Sequence, residues 1–174
     1  KQLRKQIGIV PQQSILFKGT IRDNMKWENP DLTDEEIITA LKNAQAYEFV
    51  SKLPMGLDSH VEQGGKNFSG GQRQRLCIAR AIAAQPKVLI LDDSFSALDF
   101  ATDAALRKAL SQYTHEMTVI IVTQRCSTIM NSDLILVLDD GMLVGKGTHK
   151  ELLKNCETYK EICLSQLSKS EVEV

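Results

Sequence analysis

Residues 68–99 read Phe-Ser-Gly-Gly-Gln-Arg-Gln-Arg-Leu-Cys-Ile-Ala-Arg-Ala-Ile-Ala-Ala-Gln-Pro-Lys-Val-Leu-Ile-Leu-Asp-Asp-Ser-Phe-Ser-Ala-Leu-Asp. The first part, Ser69, Gly70 and Gly71, reads as a small flexible turn that opens a helix. A helix start offers unpaired backbone N–H groups and the positive end of a dipole, which suits an anion such as phosphate. Glycines there let backbone approach a ligand closely. Residues 73–84 then favour helix, with Leu76, Ile78, Ala79, Ile82 and Ala83 at helical spacing, and Pro86 ends it. Residues 88–91 form an unbroken apolar run, as expected of a parallel strand buried on both faces. The run ends in two carboxylates, Asp92 and Asp93. Open α/β sheets bind ligands beyond the carboxyl ends of their strands. A carboxylate there is a natural partner for Mg²⁺ carrying nucleotide phosphates.

Outward from this stretch the chain alternates strand-like and helix-like segments. Residues 7–10 read as a short strand closed by Pro11, with Gln12 at its carboxyl end. Thr33 and Glu36 have capping-box spacing, and Ile37, Leu41 and Ala44 continue at helical period. Tyr47, Phe49, Val50 and Leu53 extend that apolar pattern as far as Pro54 and Gly56. Residues 101–113 read as a helix, with Ala105, Leu106, Ala109 and Leu110 on its apolar side. A buried strand follows at 117–122, leading into Thr123-Gln124-Arg125. After a short helical turn at 127–130, a strand at 134–138 and the turn Asp139-Asp140-Gly141 predict a hairpin returning through 142–144. Thr148 and Glu151 cap a last helix, and residues 168–174 form a polar, frayed tail.

Composition bounds the class. A chain of 174 residues suits one domain with a sizeable core. Lys plus Arg total 21 against 22 for Asp plus Glu, a net charge of -1 that argues against a general nucleic-acid binder. Cys77, Cys126, Cys156 and Cys163 show neither metal-ligand spacing nor a disulfide framework. No apolar run is long enough to span a bilayer, so any membrane role comes through a partner or another part of a longer chain. The chain begins at Lys1 in what reads as mid-domain, and it is expected to be a fragment.

Ser-Gly-Gly-Gln, the basic helix, the strand ending in Asp-Asp and the Ser-Ala-Leu-Asp that follows resemble the signature, Walker B and D-loop series of the ATP-binding cassette (ABC) family. Val-Pro-Gln-Gln with Ile-Leu-Phe-Lys-Gly-Thr-Ile-Arg-Asp-Asn-Met resembles the Q-loop of its exporters. The resemblance implies an α/β fold: a RecA-like P-loop NTPase core with a mostly parallel sheet, plus the ABC helical subdomain. It divides the chain into a Q-loop region (1–25), a helical subdomain carrying the signature (26–85), a core with Walker B, D-loop, switch and C-terminal helix (86–167), and a tail (168–174).

What the resemblance implies chemically is an ATPase domain working as a head-to-tail dimer. Ser69, Gly70, Gly71 and Gln72 then bind the γ-phosphate of ATP held by the partner domain, and Asp99 lies across the interface. Gln12 reaches Mg²⁺ and the attacking water, and Asp92 supports Mg²⁺ through water. The segment after Gln12 faces the transmembrane domain's coupling helices, at the cytoplasmic face of the cell membrane. ATP and Mg²⁺ are the implied cofactors, with no nucleic-acid partner.

The family's general base after the Walker B Asp is usually Glu; here it is Asp93. Its switch residue is usually His; here it is Gln124. Asp is shorter than Glu by one C–C bond, about 1.5 Å. Loss of one general acid–base catalyst costs roughly 10²–10⁴ in rate. Gln can hydrogen-bond a phosphate oxygen but cannot carry the charge of an imidazolium. The resemblance implies that both departures fall on the same side of the site. They resemble the weak site of asymmetric, heterodimeric exporters, whose competent site takes its catalytic residues from a partner subunit. Glu62-Gln63 replaces the Gly-Glu of the exporters' short loop before the signature.

No Gly-x-x-x-x-Gly-Lys-Ser/Thr phosphate loop occurs in the sequence. In the family that loop follows an interior strand lying upstream of these motifs, so its neighbours are expected to be unpaired and the isolated fragment inactive. A soluble ABC ATPase and a non-catalytic, nucleotide-gated interaction module are the alternative readings. The Q-loop context and the ending Gly-Lys-Gly-Thr-His-Lys-Glu-Leu favour exporters over the first.

Overall fold

The computed structural model describes residues 3–114 and 116–167. The chain forms two units, Lys1–Val122 and Thr123–Val174. In the first unit the order is β1 (Ile7–Val10), β2 (Gly19–Thr20), α1 (Ile21–Met25), α2 (Asp34–Asn43), α3 (Tyr47–Ser51), β3 (His60–Val61), α4 (Gly70–Ala83), β4 (Val88–Asp92), α5 (Phe100–Tyr113) and β5 (Thr118–Val122). The three longer strands make a parallel sheet in the order β1-β4-β5. Parallel neighbours need long crossovers, and helices α1 to α4 fill the one between β1 and β4, α5 the next. This is the α/β class with a parallel sheet that the motif series implies.

Register decides which residues face the core. Val10 pairs with Leu91 and Leu91 with Ile121 on one face, while Ile9, Ile90 and Ile120 line up on the other. Val10 and Leu91 are buried, whereas Ile9 is 57% and Ile120 46% exposed. The expectation of strands buried on both faces is therefore not met among the described residues. The helix-packed core, with Leu76, Ile78 and Ile82 of α4 in the same cluster as Val10, Leu89 and Leu91, covers one face only. The outer edge of β5 has no strand partner among the described residues.

Local signals explain most element boundaries. Thr33 caps α2 in a capping box with Glu36, a device worth about 1 kcal/mol. The apolar pattern from 37 to 53 is interrupted at Gln45, whose φ of 55 splits it into α2 and α3. Helix α4 begins at Gly70, three residues earlier than the apolar period predicts, because Ser69 and Gln72 form another capping box. Arg22 of α1 pairs with Asp34 and, at 2.8 Å, with Asp58, tying the start of α2 to the turn before β3.

The second unit contains α6 (Cys126–Ile129), the antiparallel pair β6 (Ile135–Asp139) and β7 (Met142–Gly147), α7 (His149–Asn155) and α8 (Glu157–Gln166). The predicted hairpin turns through Asp140 and Gly141, both at positive φ, as a two-residue primed turn requires. Thr148 and Glu151 cap α7 as their spacing predicts. The last helix is two helices, since Cys156 takes an extended conformation (φ -130, ψ 103) between them. Cys126, Ile135, Val137, Leu152, Cys156, Tyr159 and Cys163 form this unit's core. All four cysteines are buried and unpaired, consistent with packing roles. The tail at 168–174 lies outside the described residues.

Candidate functional site

Parallel pairing puts the carboxyl ends of β1 and β4 side by side, and the site's first edge is built there. Gln12 lies two residues beyond β1, Asp92 ends β4 and Asp93 follows it. The Gln12 amide Nε2 stands 3.5 Å from Asp93 Oδ2, although the two are 81 residues apart. That is a long contact, at the limit of a hydrogen bond. Gln12 and Asp92 are exposed and Asp93 half-buried. Asp93 sits in the left-handed region (φ 44), and its N–H donates to the Val122 carbonyl at 2.8 Å. Aspartate tolerates that backbone better than most residues, so a β4 that ends in this turn suits Asp at 93. Ser94, fully buried, donates from Oγ to the Val10 carbonyl at 2.9 Å and fixes the turn against β1.

The second edge is the start of α4. Ser69 Oγ accepts from Gln72 N at 3.2 Å, and Gln72 Oε1 accepts from Ser69 N at 2.9 Å. Accepting that amide leaves the Ser69 hydroxyl hydrogen free to donate elsewhere. Ser69 is exposed, while Gly70, Gly71 and Gln72 are half-buried. Gly70 and Gly71 belong to the first helical turn rather than to a flexible loop before it. Neither has positive φ. At Gly71 the missing Cβ matters internally: it would stand 3.3 Å from the Ala97 carbonyl oxygen and 3.4 Å from Leu98 Cδ2. Close approach of this turn is thus made first to the chain's own 94–99 segment.

Asp99 caps α5, accepting from Thr102 N at 2.9 Å and Thr102 Oγ1 at 2.7 Å. The backbone N–H of Thr102, then its hydroxyl, hold the carboxyl below its usual range. Asp99 stays exposed while performing this local task. Gln124 belongs to the second unit and is exposed. Its backbone is held by Gln166 at the end of α8, whose Nε2 donates to Gln124 O at 2.7 Å and whose Oε1 accepts from Cys126 N at 3.0 Å.

Gln12 and Asp93 are therefore brought together, and Ser69 and Gln72 are joined with Gly70 and Gly71 in one helix start. Ser94, Gln74 and Gln166 are additional residues that the motif reading passed over. A signal existed for two of them: Gln74 is in phase with buried Ile78 and Ile82 along α4, and Gln166 with Tyr159 and Cys163 along α8. A polar residue in register with an apolar stripe either is buried with a partner or clamps something beside it.

Gln12, Asp92 and Asp93 supply amide and carboxylate oxygens at one strand edge. That set fits Mg²⁺, which binds through one or two carboxylates and takes its remaining ligands from water and phosphate. Among the described residues no cluster of three or more His, Cys, Asp or Glu forms a self-sufficient metal site.

A parallel α/β domain with oxygen donors at its strand ends and a capped helix start facing solvent is a nucleotide-type fold. Residues 1–96 match the family described as ABC transporter, and the chain belongs to that family. It is 48% identical over 167 residues to the ABC transporter ATP-binding protein YfiB of Bacillus subtilis, covering 96% of this chain and 29% of YfiB. It is 42% identical over 160 residues to the putative multidrug export ATP-binding/permease protein SAOUHSC_02003 of Staphylococcus aureus, covering 92% of this chain and 28% of that protein. Its fold superposes with a TM-score of 0.89 and 37% identity on a bacterial Atm1-family ABC exporter solved with ATP bound, covering 93% of this chain and 29% of that one. The chain thus spans less than a third of the relatives it matches.

Proposed function

We propose that the chain is part of the ATPase domain of an ABC exporter, acting at the cytoplasmic face of a membrane through a transmembrane domain of its parent protein. Among the described residues no helix is long and apolar enough to cross a membrane. The parent works as a head-to-tail pair of such domains that bind ATP with Mg²⁺. The observation that carries this reading is that one chain offers two phosphate-suited edges on different elements: Gln12 with Asp92 and Asp93 at the strand ends, and Ser69–Gly71 at the start of α4. The first edge serves the chain's own nucleotide, with Asp99 near the interface, and the second serves the partner's. The regions 1–25, 26–85, 86–167 and 168–174 keep the roles assigned to them above. The phosphate loop is supplied by another segment of the parent, and the unpaired edge of β5 with its exposed Ile120 and Val122 supports a further strand there. The export wording in the staphylococcal relative's name favours this over a soluble ABC ATPase.

At the strand ends, Asp92 and Gln12 would hold Mg²⁺, which would supply neutralisation of phosphate charge. Gln12 Nε2, a neutral donor beside Asp93, orients water without adding charge. Asp93 Oδ2 is the proton acceptor, reaching about 1.5 Å less far than Glu. With Asp93 in place of Glu, this edge hydrolyses ATP slowly; Gln124 likewise replaces the family's ionisable switch residue, and the parent pairs with a subunit carrying the competent catalytic residues.

The test uses the full assembly. Ser69→Arg, which places a cation and extra bulk at the donated edge, abolishes ATP turnover. Asp93→Asn leaves steady-state turnover largely intact. A fall to background with Asp93→Asn removes the weak-site assignment, and unchanged turnover with Ser69→Arg removes the donated edge. The isolated 174-residue chain binds ATP weakly and shows no ATPase activity, and tight binding measured by calorimetry contradicts the missing phosphate loop.

A further inference from the structure

Two of the chain's buried cysteines face one another in the core of the second unit. Cys126 opens α6 and is 2% exposed, and Cys163 lies in α8 and is 0% exposed. Gln166, one turn after Cys163, accepts from Cys126 N at 3.0 Å through Oε1 and donates to Gln124 O at 2.7 Å through Nε2. Residues three apart share a helix face, so these two bonds lay the Cys163 side of α8 against the start of α6. There the two thiols are hydrogen-bond partners. A file of polar groups continues inward. Tyr159, one turn before Cys163, bonds that thiol and meets His149 Nδ1 at 2.8 Å. With the Tyr159 hydroxyl donating to His149, its oxygen accepts from the Cys163 S–H, and the Cys163 sulfur accepts from the Cys126 S–H. The other two cysteines stand apart: Cys77 Sγ reaches the Ile15 carbonyl at 3.6 Å, and Cys156 Sγ the Val144 carbonyl at 3.9 Å. A single buried thiol packs as a small hydrophobe. Two thiols already in contact can also be joined without moving the backbone far.

We propose that Cys126 and Cys163 are a redox-sensitive pair whose oxidation to a disulfide pins α8 onto the segment that carries Gln124. The co-reactant is hydrogen peroxide. The Cys163 thiolate attacks one peroxide oxygen, the O–O bond breaks, and the departing hydroxide takes up the thiol's proton as water, leaving a sulfenic acid. The Cys126 sulfur then attacks the Cys163 sulfur, the S–O bond breaks, and hydroxide leaves with the Cys126 proton as a second water. Two thiols and one peroxide become one disulfide and two waters. Burial, then the bond to Cys163, pushes the Cys126 thiol up to about 12, so the closed pair is almost all thiol and reacts slowly. Oxidation therefore waits on α8 lifting away from α6, and the Gln166 clamp sets how often that local opening occurs. The bond, once made, closes a loop running from α6 through the hairpin and α7 to α8, and a long loop gains much from such a link. All these contacts lie within the second unit, so the pair works whichever nucleotide the strand ends serve.

The experiment is done on the purified full-length parent assembly, reduced and then treated with hydrogen peroxide. Remaining thiols are alkylated, and the protein is digested without reductant. Mass spectrometry finds a peptide pair joined through Cys126 and Cys163, which dithiothreitol releases. The oxidised assembly shows slower amide exchange in peptides covering 124–129 and 157–166, and reductant restores the faster exchange. Gln166→Leu loosens α8 and speeds formation of the link roughly three- to tenfold. Cys126→Ala and Cys163→Ala, each made separately so that a folding defect in one does not decide the matter, show no peroxide-dependent change in exchange. Three results overturn the proposal: both thiols still alkylated after peroxide treatment of wild type and of Gln166→Leu, oxidation of either cysteine to a sulfinic acid without the link, or a link that leaves exchange of 124–129 unchanged. A link that forms equally fast in wild type and Gln166→Leu overturns the gating by α8.

Discussion

Replacing Asn24 by alanine removes three hydrogen bonds from one buried turn. Asn24 is 2% exposed on α1; its Oδ1 accepts from Phe17 N at 2.8 Å, and its Nδ2 donates to Phe17 O and Thr20 O, each at 2.9 Å. The side chain thus closes the loop that runs from Gln12 toward the helical region. Each ordinary bond contributes about 1 kcal/mol net, and a buried group left unpaired costs about 1–3 kcal/mol. The two carbonyls can accept water in the space vacated, so the Phe17 N–H dominates the loss. The expected destabilisation is about 2–4 kcal/mol. With a urea dependence of about 2 kcal/mol/M, the unfolding midpoint falls by about 1–2 M. Trp27, the single tryptophan, reports on this loop directly, because its ring stacks on Phe17 with centroids 4.0 Å apart. Urea titration followed by Trp27 emission on the 174-residue chain gives the midpoint, and the native-state emission shifts to the red as the stack loosens. Asn24→Asp loses both donors and sets a carboxylate against two carbonyl oxygens, so it destabilises more than Asn24→Ala. A midpoint within about 0.3 M of wild type, or Asn24→Asp milder than Asn24→Ala, refutes the reasoning.

Gln166→Leu frees the backbone of 124–126 from its two clamps and speeds amide exchange in peptides covering those residues, with steady-state ATP turnover of the parent assembly near that of the wild type. Gly65→Ala forces a Cβ into the left-handed region (φ +69), 2.9 Å from Arg73 Cδ and 3.0 Å from Leu16 Cδ1. It costs about 1–2 kcal/mol for the backbone alone, read as a lower thermal midpoint. His149 is buried, and its Nδ1 lies 2.8 Å from the Tyr159 hydroxyl. Burial, then the nearby Lys150 charge, lower its pKa below the ordinary 6.5. The folded state binds its proton less readily than the unfolded one, so the stability it contributes is present above about pH 6.5 and is lost as pH falls below that. Thermal unfolding between pH 7 and pH 5 shows this decline, and His149→Gln flattens it.

Much of the fold could be read from neighbours in sequence. The strand at Ile7–Val10, the capping boxes at Thr33 and Thr148, and the Asp140-Gly141 turn are physics of a few adjacent residues, and each forms where its residues predict. The start of α4 was equally local, since Ser69 and Gln72 carry the capping-box spacing, but the glycines between them suggest a loop. They sit instead in the first helical turn, where the cap supplies the missing hydrogen bonds. Burial was harder to read. An apolar run has no preferred face of its own, and only the register of Ile9, Ile90 and Ile120, with no layer over them among the described residues, made them a half-open surface.

The sequence by itself determined the chemical inventory: Gln12, Ser69, Asp92, Asp93, Asp99 and Gln124 in an order that marks the family. Side-chain type and local spacing are carried by the chain whatever its fold. Tertiary structure alone decided who meets whom. Gln12 reaches Asp93 across 81 residues because β1 and β4 pair in parallel, and Gln74 finds Ala97 because α4 packs beside the turn after β4. Such meetings depend on register and packing between distant segments, which no local pattern of residues encodes.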